Sequence, residues 1–178
     1  MKTFKNILLL FCSFLLLSAS CKKDKSNNPI DDLPQATQTG ANTFGCLVNG
    51  QSFIAKEKPY GNSSLIKDLY FNNGTYTLQV GGSSSNSTSV TFIKIFIENI
   101  LIKSNTEYTL NNETTSVGEW QIISNGINSY KTKGNSVGIL KITFYDPTKN
   151  ILSGTFSFDA VNANGEKVEI REGRFDLQ

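Results

Sequence analysis

From Phe44 onward, apolar side chains fall on alternate positions in short runs, and polar turn residues separate the runs. A period of two places one side-chain set on each face of a β-strand, and no window carries a 3.6-residue apolar stripe of helical length. In residues 89–98, Ile93, Ile95 and Ile97 share one face while Phe92, Lys94 and Phe96 share the other. A strand that is apolar on both faces belongs in the interior of a sheet. Leu140, Ile142 and Phe144 form a second inward row, opposite Lys141, Thr143 and Tyr145. With residues 108–110 and 120–123, the pattern predicts about ten or eleven strands.

The turns fix the registers. Asn-Gly pairs stand at 49–50, 73–74, 125–126 and 164–165, and each supplies residues suited to positive φ, as tight hairpins demand. A two-residue turn at Asn49-Gly50 pairs Cys46 with Phe53 and Phe44 with Ala55. The same turn at Asn73-Gly74 pairs Phe71 with Tyr76 and Leu69 with Leu78. At Asn164-Gly165 a two-residue turn would set Asp159 against Ile170. A three-residue loop Ala163-Asn164-Gly165, with Gly165 left-handed, instead pairs Phe158 with Ile170 and Ala160 with Val168. Apolar parity then switches between Ile170 and Phe175, which predicts a bulge at Glu172-Gly173.

A single sheet of this size would leave a wide apolar face bare, so it must fold over itself. The expectation is an all-β domain at 43–178, an antiparallel β-sandwich of about ten strands built from consecutive hairpins. A closed or partly closed lipocalin-like barrel is the alternative.

The N-terminus reads differently. Lys2 and Lys5 precede an apolar run at 7–17, too short to span a bilayer as a helix, and Ser18, Ala19 and Ser20 follow it. That is the pattern of a secretory signal over residues 1–20. Cys21 directly after the small residues resembles a bacterial lipobox, with Ser18 where leucine is usual and Leu17 one place earlier. The resemblance implies cleavage between Ser20 and Cys21 and lipid attachment at Cys21, hence a palmitate-type acyl anchor. Two or three acyl chains on one residue hold stably where one chain does not. Residues 21–42 carry two prolines, mixed charges and only Ile30 and Leu33 as larger apolar residues, and are expected to form a disordered tether. Fully extended, some twenty residues would reach about 65 Å.

Charge and composition remove several functions. Lys and Arg total 17 against 15 Asp and Glu, and loss of Lys2 and Lys5 with the signal equalises them. No basic footprint for nucleic acid remains. The chain has no histidine, which excludes His-dependent triads and imidazole metal sites. Cys12 leaves with the signal and Cys21 is taken by lipid, so Cys46 stands alone as a small core residue and no intrachain disulfide is expected. No cofactor or metal motif is present: calcium would need an Asp-rich loop that is absent, and Gly81-Gly82 lacks the Lys and following helix of a phosphate cradle. Asp159, Glu166, Glu169, Glu172 and Asp176 crowd the last hairpin, where a carboxylate pair would suit a hydrolase. Their alternation with Arg171 and Arg174 reads instead as a solvated, ion-paired surface. Trp120 and Tyr130 face each other if Ser124-Asn125-Gly126 is a three-residue loop; there Trp120 caps the core, or else exposed rings form a glycan-stacking ligand site. Phe92, Phe96, Phe144, Phe156 and Phe158 would fill a core, or line a barrel that carries an apolar ligand.

The opening Gly45, Val48, Asn49, Gly50, Phe53 and the ending Gly154 to Phe158, then Gly173 and Phe175, resemble an uncharacterised family of Bacteroidota-type lipoproteins. The resemblance implies an envelope address and this architecture, and carries over no catalytic residue. The resulting expectation is a lipid-anchored protein of the outer membrane with a non-enzymatic binding or structural role. Its partners would be the membrane, through Cys21, and a glycan or envelope protein. A small-ligand carrier and a carboxylate-dependent hydrolase are the alternatives.

Overall fold

The computed structural model describes residues 28–55 and 64–178. The signal segment 1–20, the Ser20–Cys21 junction and the first seven tether residues lie outside the described residues. Eleven strands follow one 3-10 turn, Pro29–Asp32: β1 (Thr43–Val48), β2 (Gln51–Ile54), β3 (Leu65–Asn72), β4 (Thr75–Ser85), β5 (Val90–Ile100), β6 (Thr106–Leu110), β7 (Ser116–Ile123), β8 (Ile127–Lys131), β9 (Gly138–Asp146), β10 (Ile151–Val161) and β11 (Lys167–Leu177). They form one antiparallel sheet in the order β2-β1-β11-β10-β8-β7-β5-β4-β3, with β9 and β6 branching from β10.

The branch makes the sandwich. On the side of β10 away from β11, residues 151–158 pair with β9, whereas Val161 alone pairs with Lys131 of β8. The sheet therefore divides at the end of β10 into a layer β2-β1-β11-β10-β9-β6 and a layer β8-β7-β5-β4-β3. It does not close into a barrel, because β2 and β3 remain edges. Facing contacts join the layers. Gly82 of β4 lies against Phe44 and Ala55, so closely that a Cβ there would meet the Phe44 ring at 2.7 Å. At the other end of β4, Tyr76 packs edge-on against Tyr145 of β9 with ring centroids 6.4 Å apart. One strand thus runs from the β1–β2 edge of the opposite layer to β9, so the two layers cross steeply.

The predicted registers hold at all four Asn-Gly hairpins. Asn49 (φ 47°) and Gly50 (φ 80°), like Asn73 (φ 48°) and Gly74 (φ 86°), form two-residue turns with both central residues left-handed. Cys46 pairs with Phe53, Leu69 with Leu78 and Phe71 with Tyr76. The last hairpin has its three-residue loop, with Gly165 at φ 82°, and sets Phe158 opposite Ile170. Glu172, at φ 53°, is the additional residue of the predicted bulge, where the β11 register shifts against both neighbours.

Two sequence expectations need correction. Ser124-Asn125-Gly126 forms the expected three-residue loop, with Ile123 opposite Ile127, but neither Asn125 nor Gly126 adopts positive φ; the loop is closed by the Ser124 N–H donating to the Gly126 carbonyl at 3.0 Å. On β9 a register shift between Ile142 and Phe144 reverses parity. Tyr145 consequently packs against the core, and Phe144 is only half-buried.

The inner faces supply Leu78, Val80, Ile93, Ile95, Leu140, Ile142, Leu152 and Ile170, all fully buried, around a phenylalanine cluster. Phe156 lies 5.1 Å from Phe44, 6.3 Å from Phe158 and 6.4 Å from Phe175, measured between ring centroids. These stacked rings lie at the centre of the buried cluster.

The largest departure concerns the tether. From Asn28 onward it is a strap laid on the outside of the sandwich. Asn28 caps the 3-10 turn by accepting from the Ile30 N–H at 3.2 Å, and the turn packs on β1 and β2. Leu33 is buried, and Pro34 sits over Gly45, where a Cβ would meet its ring at 2.7 Å. Residues 37–41 then bind Asp176, so ordering here comes from long-range polar contacts and not from the apolar content that the composition argument weighed.

Candidate functional site

The carboxylates of the last hairpin separate into two environments. Asp159 is bridged to Lys167 at 2.9 Å and to Arg171 at 2.6 Å, while Glu169 lies 3.1 Å and 3.7 Å from the same cations. Burial pushes the Asp159 carboxyl upward, but Lys167 and Arg171 outweigh it and hold the group below the usual range. This is the expected ion-paired surface. Asp176 is different: it is wholly buried on the outer face of β11, beneath the strap. Its Oδ2 accepts from Thr37 Oγ1 at 2.6 Å, from the Thr39 and Ala41 N–H groups at 2.9 and 3.1 Å, and from Thr39 Oγ1 at 3.3 Å. Its Oδ1 accepts from the Gly40 N–H at 2.9 Å and from Ser153 Oγ at 2.7 Å. Burial alone would raise its pKa, yet the donors from Thr37, Ser153, Thr39 and Ala41 hold it well below the ordinary carboxylate range. The expectation of a solvated Asp176 is therefore corrected: it is a latch.

Trp120 and Tyr130 do sit opposite each other across β7 and β8, with centroids 4.9 Å apart and planes tilted by 54°. They face inward. Tyr130 is buried and Trp120 packs against the core, so the pair is not the exposed stacking platform that the sequence suggested. Beside them a polar network ties β8 to the last hairpin. Asn128 Nδ2 donates to the Tyr130 hydroxyl oxygen at 3.2 Å, which donates to Glu166 Oε2 at 3.4 Å. Asn162 Nδ2 donates to Glu166 Oε2 at 2.5 Å, and Asn162 Oδ1 accepts the Asn164 and Glu166 N–H groups. These groups largely satisfy one another, as a structural clamp would. The exception is Trp120 Nε1, a buried donor with no hydrogen-bond partner among the described residues.

Cys46 is fully buried, and burial pushes its thiol far above the range in which a thiolate nucleophile forms. Across the outer face of the second layer, Glu119 pairs with Lys94 at 3.0 Å and accepts from Ser129 Oγ at 2.7 Å. Burial opposes its ionisation, and Ser129 and Lys94 overcome that and lower its pKa. Among the described residues, no group of three or more carboxylate or cysteine side chains is placed to hold a metal ion.

The outer face of the first layer carries a feature that sequence reading missed. Glu107, Lys141, Thr155 and Arg174 fall in one transverse row across β6, β9, β10 and β11. They floor an open groove of about 520 Å³, walled by Ala36 of the strap, Ile139 and Glu172. Lys141 pairs with Glu107 at 3.3 Å and Arg174 with Glu172 at 3.4 Å. Two ion pairs flanking the Thr155 and Ser157 hydroxyls suit a polar ligand with several hydrogen-bonding groups. Only the β6–β9 register, set by a long connection, brings Glu107 into the row; no local signal foretells it.

No family model matches this chain, and neither do any curated protein or solved structure.

Proposed function

We propose that this is a lipid-anchored protein of the bacterial cell envelope, cleaved between Ser20 and Cys21 and acylated on Cys21, whose sandwich serves a non-enzymatic binding or structural role at the outer membrane. The observation that carries the reading is the strap. The chain leading away from Cys21 is built into the fold through Asp176, whose strand β11 pairs with both β1 and β10. The lipobox-like Ser18-Ala19-Ser20-Cys21 supplies the attachment point. The groove floored by Lys141, Thr155 and Arg174 is the surface best suited to a glycan or an envelope protein partner. The test is metabolic labelling with a tagged fatty acid, with membrane fractionation, on the parent and Cys21→Ala. Label and membrane retention that vanish together in the variant support the proposal; a variant that keeps both refutes it.

A further inference from the structure

We propose that the strap and its Asp176 latch set the distance between body and bilayer, holding the β1–β2 edge of the sandwich against a lipid surface. This rests on the reading of Cys21 as the anchor. Were residues 21–42 a free tether, they would allow a standoff of about 65 Å at full stretch and an average of roughly 25 Å as a coil. The strap removes two thirds of that length. Six residues, 22–27, and hence seven Cα-to-Cα steps, separate Cys21 from Asn28, the first described residue of the strap. Covalent geometry limits seven such steps to about 25 Å whatever their conformation, and a coil of that length averages roughly 15 Å. The 3-10 turn that begins the strap packs on β1 and β2, so the chain leaves the body at that edge. Between Cys21 and Asn28 stand Lys22, Lys23 and Lys25 against the single Asp24, a net charge of +2, which an anionic headgroup layer would draw in. Ile30, partly exposed on the same turn, adds an apolar contact at that edge.

The experiment tethers the chain beginning at Cys21 through that thiol to maleimide phospholipid in a supported phosphatidylcholine–phosphatidylglycerol bilayer. Cys46, fully buried, is shielded from the coupling. Neutron reflectometry then locates the protein layer for three chains: the parent, Asp176→Ala, and a variant with fourteen Gly/Ser residues inserted between Lys25 and Ser26. The parent is expected to abut the headgroups, and the other two to stand about 10 Å farther out. A parent as distant as the insertion variant overturns the proposal, and so does Asp176→Ala remaining at the parent height. If Asp176→Ala fails to fold, the parent and insertion chains still decide the matter. In nanodiscs with paramagnetic headgroups, the amide signals of Gln51 and Ser52 should broaden before those of Asn73 and Gly74; equal broadening refutes the assigned edge. Chemical coupling supplies the anchor independently of acylation. An unlipidated Cys21 in cells would overturn the functional reading and leave this geometric result to be judged separately.

Discussion

Replacing Asp176 with alanine removes the one acceptor on which three backbone N–H groups and three hydroxyls converge. A hydrogen bond to a charged acceptor contributes about 1.5–3 kcal/mol in isolation, so a simple sum would be large. The sum does not apply, because a strap without its latch can lift and return its donors to water. The loss is then bounded by what the strap contributes, chiefly these bonds and the burial of Leu33, Gly45 and Leu47. That places the expected cost at about 3–5 kcal/mol, in the range for breaking a buried polar network. Urea unfolding followed by the fluorescence of Trp120, the single tryptophan, measures it. Amide exchange at Thr39, Gly40 and Ala41 should rise in the same variant. The sign with pH follows from the depressed pKa of Asp176. Its contribution is complete above the unfolded value near 4 and falls away as acid titrates the folded group below that value. Asp176→Asn should therefore show a shallower loss of stability between pH 5 and pH 3 than the parent. A cost under about 1 kcal/mol, with unchanged exchange at residues 39–41, would refute the latch.

Two further substitutions test the local arguments. Trp120→Phe removes a buried donor that has no partner among the described residues, so only lost packing opposes it and a cost of about 1–2 kcal/mol is expected in circular-dichroism melts; a loss above about 4 kcal/mol would mean that Nε1 is hydrogen-bonded in solution. Glu172 is the one described residue other than Asn or Gly at positive φ, and Glu172→Gly relieves that strain. A gain of about 0.5–1 kcal/mol is expected by urea unfolding, and a loss of that size would argue against the bulge.

Much of the sheet was legible because hairpins are local. The apolar sets around Asn49-Gly50, Asn73-Gly74 and Asn164-Gly165 admit one register each, and the parity change before Phe175 marks the bulge without any knowledge of neighbours. The β9 bulge escaped notice because Phe144 and Tyr145 are both apolar enough to face inward, so the sequence shows no conflict that would locate the shift. The strap was illegible for another reason. Its residues 37–41 are polar and lack periodicity, and their order depends on a carboxylate more than 130 positions away. Composition measures what a segment can bury for itself and is blind to an acceptor supplied by a distant strand. Trp120 and Tyr130 were correctly paired, but their direction was set by the β5–β7 register, which places Trp120 opposite the buried Ile93 and which no local pattern encodes. The groove row shares that limit, since Glu107 reaches Lys141 through a non-local pairing.

The central claim is an acylated cysteine joined by a short leash to a strapped β-sandwich, and intact-mass analysis of the protein purified from membranes tests it most directly. The account predicts a chain beginning at Cys21 that carries the added mass of a diacylglycerol thioether. A chain of unmodified mass, or one that begins anywhere other than Cys21, would contradict it.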